Sequence, residues 1–212
     1  MTMAPRRRKR GFFIVLDGPD GSGKSTQVEL LTQRLRREGI EASGVRDPGG
    51  TVVSERIRGI LLDPSLPDVD ARTEMFLYMA SRAEMVARVV RPAVESGLTI
   101  VSDRFLSSTV AYQGYAGGLD PKQILRVGRI ACQDVWPDLV VLLDLPAREG
   151  FARIKRAHDR MELKGEAFHE AVARGFRELA RAEPRRHVLV SARGPVETVA
   201  RRIWRVVKRV VC

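Results

Sequence analysis

Short runs of apolar residues alternate along the chain with stretches in which apolar residues recur every three or four positions. Five short runs have the length and apolar content of buried strands: 12–17, 42–45, 99–102, 139–144 and 188–191. Five longer stretches have helical spacing: 24–38, 53–62, 72–95, 148–156 and 196–211. The alternation predicts an α/β protein in which helices cover both faces of a five-stranded parallel sheet.

The chain has 212 residues, of which 44% are apolar, and a chain of this size usually forms one domain around a single core. Glycine and proline mark the ends of elements but open no long linker, and the sequence contains no internal repeat. We therefore expect a single domain over residues 11–212.

A run of five basic residues at positions 6–10 precedes the first predicted strand and contributes to a net charge of +11. The run has no apolar period, so we expect residues 1–10 to form a disordered, solvated tail. Clustered Lys and Arg also bind nucleic acids by displacing counterions from phosphates, and that alternative for the tail stays open.

The composition excludes several classes of protein. No apolar stretch approaches the roughly 18–20 residues of a membrane-spanning helix, and the run after the basic start is too short for a signal-peptide core. We therefore expect a cytoplasmic protein. Cys132 and Cys212 form no CxxC pair, and the three histidines lack metal-ligand spacing, which argues against a disulfide framework and a zinc site.

Residues 18–25 read GPDGSGKS and match the pattern GxxxxGK[ST] between a predicted strand and a predicted helix. In such a loop, backbone N–H groups bind phosphate oxygens, the lysine bridges the outer phosphates and the hydroxyl binds Mg²⁺. These last two roles fall to Lys24 and Ser25. The loop predicts a bound nucleotide but no particular reaction. The predicted ATP-binding residues are Gly18, Pro19, Asp20, Gly21, Ser22, Gly23, Lys24, Ser25 and Thr26.

Charged residues also follow two other strands. Arg46 follows the second predicted strand, and Asp103 and Arg104 follow the third. The carboxyl ends of parallel strands meet at one edge of a sheet, so these residues are expected to face the phosphate loop. A small-molecule kinase needs such a second anion site to hold its acceptor in line. Asp103 has a simpler alternative role as a helix cap.

Several motifs together, in order along the chain, resemble thymidylate kinase. They are DGSGKSTQ (20–27), RDPGGT (46–51), Thr73-Glu74 with Tyr78 and Arg82, DRF (103–105), Ser108 with AYQG (111–114), and DRME (159–162). The resemblance implies a P-loop NTPase of three layers, α/β/α, with a short lid. It implies transfer of the γ-phosphate of ATP to dTMP with Mg²⁺ as cofactor. It also implies a homodimer packed through long helices. The helix around 75–90 is apolar enough to offer such a face, and internal core is the alternative for the same residues.

The resemblance also implies roles for individual residues. Arg104 looks like the arginine that holds the acceptor phosphate, and Arg46 looks like its helper. Asp103 is similar to a carboxylate near the magnesium ion. Tyr78 matches the ring that stacks on thymine, and Arg82 matches the arginine that binds the thymine carbonyl.

Four further residues match the nucleoside pocket of that family. Ser108 and Thr109 occupy the stretch that lines the base. Tyr112 resembles the ring that crowds the 2′ position of the sugar, and Asp20 resembles the loop acid near the 3′-hydroxyl. Only one aromatic residue on this helix matches the stacking position, so Phe76 is expected in the core.

The phosphate loop contains Gly21-Ser22 and no arginine. It therefore resembles the bacterial-type branch of the family, whose catalytic arginines lie in a lid. We expect the lid at about 153–165 and its catalytic arginines at Arg153 and Arg156, with Arg160 as a third candidate. A basic helix end stabilised by the helix dipole is the alternative.

The chain departs from the family pattern at several positions. Asp17 and Asp47 stand where glutamate is usual, Ser54 where glycine is common, and Ser191 where an aspartate normally begins the stretch beside adenine.

Two other functions stay open. One is a kinase for another nucleoside monophosphate or a deoxynucleoside, and the other is a non-catalytic P-loop protein whose tail contacts nucleic acid.

Overall fold

A computed structural model describes residues 10–66, 68–155 and 158–212. Its strands form one parallel sheet: β1 (Phe13–Asp17), β2 (Ala42–Arg46), β3 (Thr99–Asp103), β4 (Leu139–Asp144) and β5 (His187–Ser191). The strand order is β2-β3-β1-β4-β5. The predicted parallel α/β fold is thus confirmed. The predicted tail lies outside the described residues except for Arg10, which forms an ion pair with Asp138.

Helices connect the strands and cover the sheet. Their bounds are α1 (Lys24–Arg37), α2 (Val52–Leu62), α3 (Ala71–Met85), α4 (Arg91–Glu95), α5 (Leu106–Thr109), α6 (Pro121–Cys132), α7 (Ala147–Phe151), α8 (Glu166–Ala182) and α9 (Val196–Val211). π-Helical segments follow α3 at Val86–Val90 and α5 at Val110–Ala116. The helix predicted at 148–156 is shorter, because α7 ends at Phe151. None of the described helices is long and apolar enough to cross a bilayer.

The core lies on both faces of the sheet. In β1, Phe13 and Val15 point to one face, where they join the cluster formed with α3, α6 and α8. Ile14 and Leu16 point to the other face, where they pack with residues of α1 and α9. Because successive side chains of a strand point to opposite faces, a strand covered on both sides must be apolar throughout. This accounts for the continuous apolar run that predicted β1.

The prediction that Phe76 lies in the core is wrong. Its side chain is 58% exposed, whereas Met75 and Met79 of the same helix are buried. Met75 and Met79 are four positions apart and share one side of α3, and Phe76 points away from that side. The periodic pattern predicted the helix correctly but not which of its sides faces the sheet.

The register of the central strands brings three chain segments to one edge of the sheet. Asp103 of β3 lies beside Leu16 of β1 and beside Arg46 of β2. The hydrogen bond from Arg104 N to Leu16 O, at 3.0 Å, continues this pairing past the end of β3. The residues that follow β1, β2 and β3 therefore meet, as expected at the carboxyl edge of a parallel sheet.

Candidate active site

A cavity of about 690 Å³ opens at this edge of the sheet, within the usual size range of small-molecule sites. Gly18 and Pro19 do not line it, but their carbonyl groups hold the lysine of the loop. Arg156 lies outside the described residues. The predicted residues that line the cavity are Asp20, Gly21, Ser22, Gly23, Lys24, Ser25, Thr26, Arg46, Tyr78, Arg82, Asp103, Arg104, Ser108, Thr109, Tyr112 and Arg153.

The phosphate loop is shaped by glycine. Gly21 has a φ of 71°, and a Cβ added there would lie 2.0 Å from the carbonyl oxygen of Gly150, so only glycine fits. Gly23, with a φ of 88°, precedes α1 and provides no side-chain cap. The N–H groups at the start of α1 are therefore suited to bind an anion, which the helix dipole also favours.

Lys24 is folded back over the loop. Its Nζ donates to Gly18 O at 3.1 Å and to Pro19 O at 2.8 Å. Burial, with a further contribution from the nearby Arg104 charge, lowers the pKa of Lys24 to about 8. The ammonium group is thus close to its titration range, and a bound phosphate would stabilise its charged form.

Ser25 and Asp103 present two oxygen atoms beside the loop. Ser25 Oγ donates to Asp103 Oδ2 at 2.5 Å. The described residues contain no cluster of three or more His, Cys, Asp or Glu side chains suited to a metal ion. Mg²⁺ at nucleotide sites needs no such cluster, because it takes one or two protein oxygens and completes its shell with phosphates and water. The pair therefore fits a phosphate-bound Mg²⁺.

Arg104 is held at the centre of the cavity wall with a φ of 71°, an uncommon conformation for a non-glycine residue. Its Nη1 donates to Gly18 O at 3.1 Å and to Ser108 Oγ at 3.0 Å. Its Nη2 donates to Asp20 and, at 3.3 Å, to Tyr112 Oη. A guanidinium with this many fixed acceptors is preorganised before any ligand arrives.

Asp20 joins this group through two bonds. In addition to Arg104, it accepts a bond of 2.6 Å from Tyr112 Oη. Burial alone would raise the pKa of Asp20, but Arg104, Lys24 and the bond from Tyr112 together lower it. The carboxylate is therefore ionised at neutral pH and partly neutralises the cations of the cavity.

Asp17, one of the departures from the family pattern, is fully buried. It accepts hydrogen bonds of 2.6 Å from Ser107 Oγ and from Ser108 Oγ, and one of 2.9 Å from Gly18 N. The short carboxylate is therefore well satisfied, and it ties the start of the phosphate loop to α5.

Arg82 and Asp47 form a buried ion pair. Both side chains are 1% exposed, and Arg82 Nε donates to Asp47 Oδ2 at 2.6 Å. Burial raises the pKa of Asp47 and the Arg82 charge opposes that rise. Arg82 Nη2 also donates to Phe105 O at 3.2 Å. Two of the three guanidinium nitrogens are therefore hydrogen-bonded to oxygen atoms within the protein.

Tyr78 also lines the cavity, and burial raises the pKa of its hydroxyl, so the side chain is neutral. Thr109 and Gln113 line the same cavity. Both are 1% exposed, yet Thr109 Oγ1 and Gln113 Oε1 have no hydrogen-bond partner among the described residues. Buried polar atoms normally have partners, and a ligand in the cavity would supply them.

Sequence reasoning gave no role to Gln113 or to Arg58. Gln113 stood within a matching motif but was not singled out. Arg58 lines the cavity and its Nη1 donates to Pro48 O at 3.1 Å, yet an arginine on an amphipathic helix usually lies in solvent. Arg46 is half exposed, and its Nη2 lies 3.0 Å from both carboxylate oxygens of Glu55.

The arginines predicted for the lid lie in different environments. Arg153 lines the cavity and its Nη1 donates to Ala192 O at 3.2 Å. Arg160, the third candidate, is buried away from the cavity. Its Nη1 lies 2.7 Å from Glu74 Oε1, and its Nε donates to Leu61 O at 3.0 Å.

A phosphate loop and several arginines that line one cavity define a P-loop kinase for a small acceptor. The chain belongs to the thymidylate kinase family, whose model, described as "Thymidylate kinase", matches residues 16–203. The family resemblance read from the motifs is thus confirmed.

Individual relatives agree with this family. The thymidylate kinase of Synechococcus sp. (strain JA-2-3B'a(2-13)) is 46% identical over 198 residues, which cover 92% of this chain and 94% of the relative. That of Pseudomonas fluorescens (strain SBW25) is 44% identical, covering 91% and 93%. The crystal structure of thymidylate kinase from Ehrlichia chaffeensis has a TM-score of 0.76 and 28% identity, covering 94% of this chain and 99% of that one.

The lowered pKa of Lys24 predicts pH-dependent nucleotide binding. With a pKa of about 8 in the free protein, the lysine loses most of its charge between pH 7 and pH 9. The affinity for a non-hydrolysable Mg-ATP analogue should therefore fall about tenfold over that interval, as measured by calorimetric titration. Lys24→Met should bind more weakly and show no such change. An affinity of the wild type that is constant with pH would contradict the prediction.

The buried pair of Arg82 and Asp47 predicts a large effect on stability. Asp47→Asn leaves Arg82 buried without its counter-charge and should lower the free energy of unfolding by about 3–5 kcal/mol, as measured by urea denaturation. Glu55→Gln changes the exposed pair with Arg46 and should cost less than about 1 kcal/mol. Equal losses in the two variants would show that burial of the pair is not what matters.

Proposed function

We propose that this protein transfers the γ-phosphate of ATP to dTMP and so forms dTDP. The observation that carries the proposal is the pair of neighbouring cations in one cavity, Lys24 of the phosphate loop and Arg104 after β3, which both donate to Gly18 O. In-line transfer requires donor and acceptor phosphates to be held face to face with their charges neutralised. A protein that only binds a nucleotide needs the first site but not the second.

The donor side is formed by the loop and α1. The N–H groups at the start of α1 and Lys24 Nζ would bind the β- and γ-phosphates. Ser25 and Asp103 would hold Mg²⁺, which neutralises charge on the phosphate oxygens when bound. The mutual hydrogen bond of these two residues at 2.5 Å supports a shared position for the ion.

The acceptor side is centred on Arg104, which would bind the phosphate of dTMP. Arg46 and Arg58 would add further positive charge, because both line the same cavity. A nucleoside acceptor carries no phosphate and would leave these three arginines without a ligand. This favours a monophosphate over a deoxynucleoside as the acceptor.

The sugar and base would lie beyond the phosphate. The bonded pair of Tyr112 and Asp20 would contact the deoxyribose, and Tyr78 would stack on the base. The unpartnered oxygen atoms of Thr109 and Gln113 suit a base that offers a hydrogen-bond donor. Arg82, held by Asp47, would present its remaining N–H groups to a carbonyl.

A coupled ADP-release assay tests the proposal across dTMP, dUMP, dCMP, dGMP, AMP and thymidine. The highest kcat/KM is expected for dTMP, and thymidine should give little turnover because it lacks the phosphate that Arg104 binds. Preference for another monophosphate, or none for dTMP, would overturn the substrate assignment. Absence of turnover with every acceptor would favour a non-catalytic nucleotide-binding protein.

The lid arginines generate a separate prediction. Arg153→Ala and Arg156→Ala should each lower kcat by roughly a hundredfold or more, because an arginine against the transferring group stabilises its developing charge. The dissociation constant for dTMP should change little. Arg148 is exposed on α7 and does not line the cavity, so Arg148→Ala is the matched control. Unchanged turnover in both lid variants would remove the lid from the mechanism.

Homodimer formation through α3 and location in the cytoplasm stay predictions. The exposed ring of Phe76 on α3 supports a packing face for a second copy of the chain. Sedimentation velocity of the wild type and of Phe76→Asp would measure whether that face is used.

A further inference from the structure

Glu74 is a buried carboxylate on α3 that has no role in the transfer described above. Its side chain is 1% exposed, and its two oxygen atoms have different partners. Oε1 lies 2.7 Å from Arg160 Nη1 and 2.7 Å from Lys164 Nζ. Oε2 accepts a hydrogen bond of 2.9 Å from Gln113 Nε2.

These contacts determine which way the Gln113 amide points. The Glu74 carboxylate forms ion pairs with Arg160 and Lys164, and a carboxylate in an ion pair accepts hydrogen bonds but donates none. Gln113 must therefore turn its NH₂ group toward Glu74. The amide is planar, so its oxygen is directed away from Glu74. That oxygen has no partner among the described residues, and Gln113 lines the cavity.

We propose that Glu74 is a positioning residue that fixes the Gln113 amide and thereby makes the base pocket select a ring N–H donor. The inference rests on the proposed function, since it concerns the base of the monophosphate acceptor. Thymine and uracil carry a proton on N3 and can donate to the amide oxygen. Cytosine has a lone pair on N3, and two acceptors would face each other.

The opposite orientation of the amide is prevented by charge rather than by shape. A flipped amide would place its oxygen against the Glu74 carboxylate and leave two N–H groups without that acceptor. Only loss of the negative charge, or its withdrawal from Gln113, makes the flipped orientation available. Sites built around a definite donor or acceptor reject ligands that lack its complement far more strongly than apolar pockets do.

The decisive experiment compares kcat/KM for dTMP, dUMP and dCMP in the wild type and in Glu74→Gln. In the variant the amide at position 113 can adopt either orientation, so the ratio of kcat/KM for dTMP to that for dCMP should fall at least about tenfold. The ratio for dTMP to dUMP should stay within about twofold, because both bases carry the same N3–H group. An unchanged dTMP to dCMP ratio in folded Glu74→Gln would overturn the proposal.

A second variant, Glu74→Asp, keeps the proposal testable if Glu74→Gln does not fold. Glu74→Asp keeps the negative charge near Arg160 and Lys164 but withdraws the carboxylate from Gln113 by one methylene. Its dTMP to dCMP ratio should also fall, and if both Glu74 variants fold and keep the wild-type ratio, Glu74 has only a structural role.

Lys164→Met is the matched control. It removes one cation from Oε1, leaves the bond from Oε2 to Gln113 in place and keeps an apolar chain beside Phe168, over whose ring Nζ lies at 5.1 Å. The melting temperature should fall while the dTMP to dCMP ratio stays at the wild-type value. A ratio that falls as far in Lys164→Met as in the Glu74 variants would contradict the inference, since general loosening would then explain the change.

Measuring the dTMP to dCMP preference of the wild type and of Gln113→Leu distinguishes failure of this inference from failure of the proposed function. A wild type that does not prefer dTMP over dCMP would defeat the proposed function itself. Gln113→Leu should lose most of the discrimination. If it keeps the wild-type ratio, Gln113 does not contact the base and the role of Glu74 fails with it, while dTMP phosphorylation stands.

Discussion

Cations in the cavity lining and next to it lie directly against carboxylates, and the geometry of the site depends on this pairing. The pairs are Arg104 with Asp20, Arg82 with Asp47, and Arg160 and Lys164 with Glu74. Removing one partner of a buried pair costs several kilocalories per mole, because the remaining charge is left without water or counter-charge. Each carboxylate therefore limits where its cation can lie, and Arg82 and Arg104 in turn form part of the cavity wall.

The pairs differ in how much of each cation they leave for a ligand. Arg82 uses its Nε and Nη2 within the protein and is almost completely buried, so its position is nearly invariant. Arg104 is one-fifth exposed and shares its N–H groups among several acceptors. Incoming phosphate can compete for those groups, while Asp20 balances the charge when no phosphate is present. A site arranged in this way needs little rearrangement on binding, and preorganisation of this kind is a main source of electrostatic stabilisation in enzymes.

Much of the architecture could be predicted because it follows from short-range patterns. Burial of the three central strands β1, β3 and β4 on both faces produces continuous apolar runs. Every predicted strand end lies within one residue of its observed position. The phosphate loop was recognisable since its glycines and lysine must keep a fixed spacing. The start of α6 also carried a signal, Asp120 followed by Pro121, with the Asp120 side chain accepting from Lys122 N. The helix was nevertheless not among those predicted, although its buried residues Ile124, Gly128 and Ala131 recur at helical spacing.

What escaped prediction depends on contacts between distant parts of the chain. Phe76 was placed wrongly because periodicity does not tell which side of a helix meets the sheet. Glu74 lies 39 positions from Gln113 and 86 from Arg160. No spacing rule connects residues so far apart, and only the fold brings them together.

The two kinds of polar group in the cavity also contribute differently to recognition. Cations bind any phosphate and therefore provide affinity without telling one base from another. A hydroxyl such as that of Thr109 can rotate to donate or accept, so it adapts to several bases. An amide discriminates only when its orientation is fixed, and in this protein a fixed orientation requires a buried negative charge, which is balanced by the buried Arg160 and the partly buried Lys164. The energetic cost of burying Glu74 with Arg160 and Lys164 is thus understandable if the charge cluster serves selectivity at Gln113 rather than stability alone.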